Sequence, residues 1–495
     1  MRGIIRVGDA TSHGGKVVSG SANHRVKENS RRTGDNSICA KNRSATQVFT
    51  RFVGIPALLA TAFFAFTTAL GSQAATAATP EDTTQAIATT SSPSPFLAQV
   101  VGLEWLNPLQ RRDYPTEWQL LWTLGLVKPN RNDDMVRTKP AAFTSLQSVA
   151  GIANGVHGEE TFKGFQEKYV DKLLVLFGEP YAMNPNYFYT VQSDDRRKWR
   201  ELASIHVEYA IPKNRLGVDE TGAYLRDRIV GKFKIGNSSF KDLWSKDTPP
   251  DVHVTAGGPN AGFTSLNAAL DYLQAHPQES VWVMNWDAPG FPPKDAQINE
   301  NMVLLILAGP AMKTERVPLA WIGKAASGNM KDFEAKAGTT RAVQAWKATI
   351  TDAARNANVS PTDIHYVIHD AGKGNDAASA RLGSLSQTLT ETLPEFDYQK
   401  QTFNTPALLG EMGAGTALTD VALAIGRANH LGGNVLVAGT TDAEHPTAVV
   451  IVPPSKLTPI NPDSDWFRAR GENNAYLPWW GRRLDTDYKV QGYSY

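Results

Sequence analysis

A helix followed by two apolar strands occurs twice in this sequence, and this repeat is the feature that most constrains the fold. The two copies cover residues 264–308 and 416–452. In the first copy, Leu266, Leu270 and Leu273 recur at helical spacing and lie on one face of the helix. The strands that follow are apolar at nearly every position, which is typical of strands covered on both faces. The pattern predicts an α/β fold with a duplicated, layered domain.

The individual elements are predicted from apolar runs and from helical periodicity. A helix over residues 341–358 places Val343, Trp346, Ile350 and Ala354 on one face. The other predicted helices cover residues 264–276 and 415–430, and the predicted strands cover residues 172–177, 204–211, 253–257, 281–286, 303–308, 364–368, 435–438 and 448–452.

The charge distribution separates the N-terminus from the rest of the chain. The 495 residues contain 50 Lys and Arg against 49 Asp and Glu, a formal net charge of +1. This balance excludes a dedicated nucleic-acid-binding protein. The first 51 residues nevertheless hold ten basic side chains against three acidic ones, and they are followed by Phe52–Leu70, which carries no charge. As a helix with about 1.5 Å per residue, this segment spans roughly 28 Å, close to the hydrocarbon thickness of a membrane.

The uncharged segment predicts a signal anchor over residues 49–72. Because basic residues precede it and the acidic Glu81 and Asp82 follow it, the N-terminus is expected in the cytoplasm of a single-pass inner-membrane protein. Residues 72–77 contain small-x-small patterns that fit a signal-peptidase site, so a cleaved signal with export to the periplasm stays open. A misassigned start, which would leave the chain in the cytoplasm, and a buried core helix also stay open.

The sequence predicts six consecutive regions. Residues 73–97 are rich in Thr, Ser, Pro and Ala and are expected to form a disordered linker. The predicted regions are 1–48, an N-terminal basic segment; 49–72, the signal anchor; 73–97, the linker; 98–250, an N-terminal α+β extension; 251–455, the duplicated α/β domain; and 456–495, an aromatic tail.

The basic segment resembles the opening half of a PAAR-repeat protein, the tip of a type VI secretion spike. The resemblance rests on residues 8–9, 11–15, 29–32 and 34–35 and on Cys39. Such tips hold zinc with three histidines and one cysteine. His13 and Cys39 occupy plausible ligand positions, with His24 as a weaker third, but a closed zinc site needs four ligands. The segment is therefore expected to be truncated and to hold no metal.

Residues 341–372 and 408–442 are similar to the C-terminal half of a thiolase or ketoacyl-synthase fold. The resemblance implies a catalytic cysteine near Pro259, one histidine near Asp370 and another near Gly410. The only cysteine in the chain is Cys39, so the thiolate nucleophile of Claisen and thiolysis chemistry is missing from these positions. The resemblance thus implies a thiolase-like scaffold without catalysis, and no cofactor is expected.

Two histidines lie four residues apart on one predicted strand. His365 and His369 should face the same side, because side chains alternate along a strand. With Asp370 they could form part of a metal site, but a half-buried pair with satisfied hydrogen bonds is the favoured interpretation.

Over residues 98–495 the chain resembles the type VI lipase adapter family. The stretches that carry this resemblance are residues 111–129 and 282–293, together with the duplicated segment. The resemblance implies a non-catalytic adapter that binds a phospholipase effector and helps to load it onto the secretion spike. The expected partners are therefore the phospholipase, a spike protein and the inner membrane through Phe52–Leu70, with no nucleic acid.

The aromatic tail is a candidate partner-binding segment. Trp, Tyr and Arg are enriched at binding hot spots, and the tail interleaves them. Packing of the tail against its own domain stays open as the alternative. The candidate residues are Trp466, Tyr476, Trp479, Trp480, Arg482 and Arg483.

Two alternatives to an adapter follow from the same features. A PAAR-tipped effector would carry its toxin in the C-terminal part. An acyl-transfer enzyme would use an unconventional nucleophile near Gly257–Gly262, supported by His369 or Asp370.

Overall fold

The computed structural model of the chain describes residues 95–106, 124, 161–178, 202–244, 246–288, 301–313, 317–372 and 374–459. These residues form two successive sets of elements with the same order of helices and strands. The first set contains β1 (Ala98–Leu106), α1 (Phe162–Gly178), β2 (His206–Pro212), α2 (Val218–Phe233), β3 (Asp251–Gly257), α3 (Ala261–Ala275), β4 (Ser280–Asp287) and β5 (Asn301–Ala308).

The second set repeats this order with three additional short elements. It contains β6 (Ala320–Ile322), β7 (Ala326–Ser327), α4 (Arg341–Asn356), β8 (Ile364–His369), α5 (Asp376–Thr392), α6 (Tyr398–Gln401), β9 (Thr402–Asn404), α7 (Thr405–Leu409), α8 (Thr416–Leu431), β10 (Asn434–Gly439) and β11 (Thr447–Val452).

Strand pairing confirms the duplication. In the first repeat β2 is parallel to β3 and β4, and β4 is antiparallel to β5. In the second repeat β8 is parallel to β9 and β10, and β10 is antiparallel to β11. Strand β1 pairs with both β5 and β6, so the sheet runs β3-β2-β4-β5-β1-β6-β11-β10-β8-β9, with β7 beside β11.

Three apolar clusters place the helices in layers about the two halves of the sheet. The central cluster contains α3 and α8 together with inward-facing strand residues of both repeats. A second cluster joins α1 and α2 to the other face of the first half, and a third joins α4 and α5 to the other face of the second half. In β4, for example, Val283 belongs to the central cluster and Trp282 to the outer one, as expected from the alternation of side chains along a strand. The predicted layered α/β architecture is therefore confirmed.

The central and outer helices differ in burial in the way their sequences require. On α8, every residue except Arg427 and Leu431 is buried, whereas α4 buries one face. Small residues allow the two central helices to approach closely: a Cβ on Gly262 would lie 3.0 Å from the Cβ of Ala417. The four residues predicted on the apolar face of α4, namely Val343, Trp346, Ile350 and Ala354, are all buried.

The predicted helices and strands from residue 204 onward are confirmed within three residues at each end. The strand predicted over residues 172–177 is wrong, because these residues lie in α1. The run of five apolar residues after Lys172 is short enough to fit either element. The buried Phe165, Tyr169 and Leu173, spaced four residues apart, show that the helical period continues into the run.

Residues 98–250, predicted as an extension, supply β1, α1, β2 and α2 of the first repeat. No helix among the described residues is both long and apolar enough to cross a membrane. The predicted anchor Phe52–Leu70, the PAAR-like segment 1–48 and most of the linker and tail lie outside the described residues. These assignments stay predictions.

Candidate functional site

The three segments that the thiolase resemblance places at a catalytic centre meet beyond the C-terminal ends of β8 and β10. Since these strands are parallel, Asp370 after β8 and Thr440 after β10 emerge at the same edge. The Asp370 carboxylate accepts a hydrogen bond from the Thr440 amide at 2.5 Å. Gly439 lies against Asn260 in the loop before α3, and a Cβ at this glycine would overlap the Asn260 amide oxygen.

The third segment closes this group from the side of the β8–α5 loop. A Cβ on Gly372 would lie 3.3 Å from Oε1 of Glu411, which follows Gly410. Asn404 fixes the loop, because its side chain accepts a hydrogen bond from the Gly372 amide at 3.2 Å and donates one to the Gly372 carbonyl at 2.7 Å. The residues predicted from the resemblance therefore come together, although neither thiol nor histidine stands at the implied positions.

Both ring nitrogens of His369 are engaged. Nδ1 accepts a hydrogen bond from the Ala371 amide at 3.3 Å, and Nε2 lies 2.9 Å from the hydroxyl of Tyr398. Burial lowers the pKa of His369 to about 4, so the ring is neutral near pH 7. Since Nδ1 is the acceptor, the single ring proton resides on Nε2 and is donated to Tyr398. This arrangement leaves no ring nitrogen free to act as a base or a metal ligand.

Asp370 joins the ends of two neighbouring strands. Besides the Thr440 amide, its Oδ1 accepts from the Thr440 hydroxyl at 2.7 Å, and its Oδ2 accepts from the Thr441 hydroxyl at 2.7 Å. Three hydrogen bonds compensate the burial of this carboxylate, whose residue is only 2% exposed. The contacts assign Asp370 to holding the β10–β11 loop against β8.

Two further carboxyl groups lie near Asp370 and are affected by its charge. Asp420, on the second turn of α8, is buried, and burial followed by the charge of Asp370 raises its pKa well above the usual range. Glu411 is exposed, and partial desolvation together with Asp370 raises its pKa, while Arg381 opposes the shift. Arg381 also donates two hydrogen bonds to the Ala371 carbonyl. The site is therefore acidic and held by hydrogen bonds from its own loops.

The first repeat supports the turn that precedes α8. The Asn285 side chain donates to the Gly415 carbonyl at 2.7 Å, and Asp287 accepts from the Ala414 amide at 2.9 Å. Asn301 lies so close to Gly415 that a Cβ there would overlap its side chain. Burial raises the pKa of Asp287 to about 6, against the opposing effects of two backbone amides and of Arg215. Side chains from β4 and β5 thus position the N-terminus of a helix in the other repeat.

The loop before α3 contains no cysteine. Its sequence from Gly257 to Gly262 is GGPNAG, and α3 begins at Ala261. Thiolase chemistry needs a thiolate at the start of this helix, and neither Pro259 nor Asn260 can supply one. The hydroxyls closest to the predicted histidine position, on Thr440 and Thr441, both donate to Asp370.

The predicted histidine pair differs from the expectation in its burial. His365 and His369 share the outer face of β8, but His365 is exposed whereas His369 is buried. Because His369 has both nitrogens engaged, the pair with Asp370 does not provide a metal site. Among the described residues, the side chains that could hold a metal ion together are His206, Asp251 and His253, at the opposite end of the sheet.

Sequence reasoning missed the residues that hold this site together. Thr440 and Thr441 directly follow a buried strand, and a parallel partner strand ends at Asp370, so this pair could have been found from the pattern. Tyr398 and Asn404 lie after α5 and gave no comparable signal. The tail residues Trp466, Tyr476, Trp479, Trp480, Arg482 and Arg483 and the weak metal candidates His13 and Cys39 lie outside the described residues.

Comparison with solved structures returns ketosynthases. An oxazolomycin ketosynthase domain from Streptomyces albus is 13% identical, with a TM-score of 0.44 over 76% of this chain and 100% of that one. The module 6 ketosynthase of the bacillaene synthase from Bacillus subtilis is 11% identical, with a TM-score of 0.47 over 73% of this chain and 72% of that one. The ishigamide ketosynthase/chain length factor is 15% identical, with a TM-score of 0.42 over 72% of this chain and 98% of that one.

No curated protein sequence matches the chain. A family model does match it, over residues 324–453, and its description is "Type VI lipase adapter protein Tla3, C-terminal". The match covers β7 through β11, the elements that contain His369, Asp370, Glu411 and Asp420. Residues 324–453 of this chain are therefore similar to the C-terminal region of the type VI lipase adapter family.

Proposed function

We propose that the chain is a type VI secretion adapter that binds a phospholipase effector and helps to load it onto the spike, without catalysis of its own. The observation that carries the proposal is the family match over residues 324–453. The PAAR-like N-terminal segment, predicted from the sequence, points independently to the same secretion machinery.

The geometry of the candidate site supports the non-catalytic part of this proposal. His369 uses both ring nitrogens in hydrogen bonds, and Asp370 accepts three hydrogen bonds from neighbouring threonines. A general base needs a free lone pair within reach of the proton that it removes. The cysteine of a thiolase-like enzyme is also missing from residues 98–495. The site has instead the properties of a rigid junction between two repeats.

The effector and the membrane are assigned to separate parts of the chain. We assign effector binding to the aromatic tail, since it concentrates Trp, Tyr and Arg, and membrane attachment to Phe52–Leu70. With a cytoplasmic N-terminus this anchor would place the folded part across the membrane from the spike, unless the start is misassigned. Protease accessibility of the folded part in intact spheroplasts separates these two locations.

The binding proposal is tested by co-purification of the full-length chain, in detergent, with the phospholipase encoded beside its gene. We expect a stable complex that is weakened when Trp479 and Trp480 are replaced by Ala. Phe240→Ala is the matched control, since Phe240 is an exposed aromatic residue in the first repeat, outside the family match. A phospholipase that does not co-purify with the wild-type chain would contradict the adapter proposal.

Absence of catalysis is tested on the same preparation with an acyl thioester as substrate. We expect thioester hydrolysis no faster than in buffer, and no difference between the wild-type chain and Asp370→Asn. Turnover that Asp370→Asn or His369→Gln abolishes would contradict the proposal and favour the acyl-transfer enzyme. Growth inhibition on periplasmic expression of the chain alone would favour the effector alternative.

A further inference from the structure

Four ionisable side chains lie on one face of β2 and β3, two parallel strands at one end of the sheet that the described residues form. Strand β3 is the edge strand and β2 is its neighbour. His206 pairs in register with Asp251, and Glu208 pairs with His253. Because side chains two residues apart point to the same face of a strand, these four residues form one patch, here called the edge cluster.

Three members of the edge cluster converge on a single point. Asp251 Oδ2 lies 3.2 Å from His206 Nδ1 and 2.9 Å from His253 Nε2. The three ligand atoms all lie within 4.8 Å of one another. A tetrahedral zinc ion with bonds of about 2.0–2.2 Å to nitrogen and oxygen requires its ligands to lie roughly 3.3 Å apart. The two distances that include Asp251 therefore match this spacing, and the two histidine nitrogens lie within 4.8 Å of each other.

The hydrogen-bond partners of His206 also call for a positive charge at this point, either a second ring proton or a metal ion. Its Nε2 lies 2.8 Å from the buried Glu208 carboxylate, and its Nδ1 faces Asp251. A neutral imidazole carries only one N–H. With that proton directed to Glu208, the Nδ1 lone pair would face a carboxylate oxygen, which is repulsive. A cation between Nδ1 and Asp251 removes the repulsion.

We propose that His206, Asp251 and His253 bind a divalent transition-metal ion such as Zn²⁺, with Glu208 orienting His206 from behind. Two imidazoles and one carboxylate are a ligand set that suits this class of ion. A histidine ligand commonly donates its second ring N–H to a carboxylate, as His206 does to Glu208. Tyr272 stacks on the His206 ring, with centroids 4.0 Å apart and planes 5° apart, and so fixes the ring orientation.

Exposure of two ligands leaves one coordination position open. The side chains of Asp251 and His253 are 65% and 53% exposed, whereas those of His206 and Glu208 are buried. The ion would therefore be reached from solvent, and its fourth position is available to water or to a donor group of another molecule. By joining His206 on β2 to two residues of β3, the ion would also fasten the edge strand to the sheet.

The test uses the full-length chain after treatment with a chelator. Cys39→Ser and His13→Ala are introduced together as the background, because these N-terminal residues are themselves zinc-ligand candidates. Zinc chloride is titrated by calorimetry, and cobalt chloride is added to record the visible absorption of the bound ion. We expect one ion per chain, and a melting temperature that rises on addition of zinc.

Three variants in this background report on the site. His253→Ala removes an exposed ligand and should weaken zinc binding by on the order of 100-fold or more, with no zinc-dependent rise in melting temperature. Glu208→Gln should weaken it by about 10–100-fold, the usual range for a residue that orients a ligand. The control is His276→Ala, since His276 is exposed near the edge cluster and contacts Tyr272 but is not among the converging ligands. This control should bind zinc as the background does.

Two results would overturn the proposal. If the metal-free background binds neither zinc nor cobalt near neutral pH, the cation between Nδ1 and Asp251 is a proton. If His253→Ala, which changes only an exposed side chain, binds zinc as tightly as the background, the ion lies elsewhere. Neither result depends on whether the chain binds a phospholipase.

Discussion

The two repeats place different side chains at the same two positions, one on the inner face of a strand and one on the helix that covers it. His206 on β2 pairs with Val281, the second residue of β4, and Tyr366 on β8 pairs with Val435, the second residue of β10. In the first repeat Tyr272 of α3 stacks on His206. In the second repeat Arg427 of α8 covers the ring of Tyr366. Arg427 is the twelfth residue of α8, as Tyr272 is the twelfth of α3, and its guanidinium carbon lies 3.6 Å from the ring centre of Tyr366.

Both repeats therefore have a covered side-chain ring at this strand position, although the residue types differ. In the second repeat the aromatic ring lies on the strand and the cation on the helix, whereas the first repeat places a histidine on the strand. The neighbouring strands differ accordingly. Strand β3 has seven residues, of which several are exposed, while β9 has three and is followed at once by α7. Among the described residues, the first repeat thus has a longer, more exposed and more polar edge strand than the second.

Buried histidines should give the second repeat the stronger dependence on acid. Burial lowers the pKa of His369 and of His430 to about 4. In the unfolded chain histidine titrates near 6.5, so the unfolded state binds more protons between these values. Each histidine therefore contributes about 3 kcal/mol to the free energy of unfolding. This contribution is fully present above about pH 6.5 and is lost as the pH falls through 4.

Urea unfolding at several pH values measures this effect. His430→Asn keeps a donor near the Thr458 carbonyl, which lies 2.7 Å from the histidine Nδ1, and should remove about 3 kcal/mol from the loss between pH 6.5 and 4. His369→Gln should likewise remove about 3 kcal/mol from this loss. His365→Gln is the control on the same face of β8, where the side chain is exposed, and should leave the pH dependence unchanged. Equal slopes for all three variants and the wild-type chain would contradict the prediction.

The helix starts of the two repeats should differ sharply in their tolerance of a methyl group. A Cβ at Gly415, before α8, would overlap the buried side chain of Asn301, whereas a Cβ at Gly258, before α3, would meet nothing within 4 Å. Gly415→Ala is expected to lower the free energy of unfolding by about 3 kcal/mol through overpacking. Gly258→Ala should change it by less than about 0.5 kcal/mol. Similar values for both variants would show that Asn301 can move aside.

Asp287 should give the first repeat a pH dependence of the opposite sign. Burial raises its pKa to about 6, so between about pH 4 and 6 the folded state binds the extra proton. This contribution to stability is present below the unfolded pKa and is lost as the pH rises through 6, by about 3 kcal/mol. In Asp287→Asn the loss should be absent, and the free energy of unfolding should fall more steeply on acidification than in the wild-type chain. If the free energies of unfolding of Asp287→Asn and of the wild-type chain vary with pH in parallel, Asp287 does not bind the extra proton.

Much of the fold follows from the sequence because its signals are local. The strand at 281–286 and the helix at 341–358 are predicted because continuous apolar runs and helical spacing each indicate one element. The prediction for residues 172–177 fails because five apolar residues fit both elements, and only packing of Phe165 and Tyr169 against the outer core decides between them. Duplication is readable for the same reason, since each repeat carries its own helix–strand–strand signature.

The functional geometry follows less well from the sequence because it depends on register between strands. His206 and Asp251 are 45 residues apart, and their contact exists because β2 and β3 pair at those residues. His369, in contrast, stands out in the sequence, yet its environment leaves it without a free nitrogen. A titratable residue is thus visible from the sequence, whereas its partners, which decide what it can do, become visible only in the sheet.

The smallest predicted effect concerns the cover over Tyr366. A cation above an aromatic face contributes about 1 kcal/mol when partly shielded from solvent. Arg427→Met keeps an apolar stem over the ring and removes the charge, so a double-mutant cycle with Tyr366→Leu should give a coupling free energy of about 1 kcal/mol. The coupling should persist at high salt, because screening is weak for partly buried groups. A value below about 0.3 kcal/mol would mean that the stem alone provides the cover. The second repeat would then need only an apolar lid where the first needs a ring that orients His206.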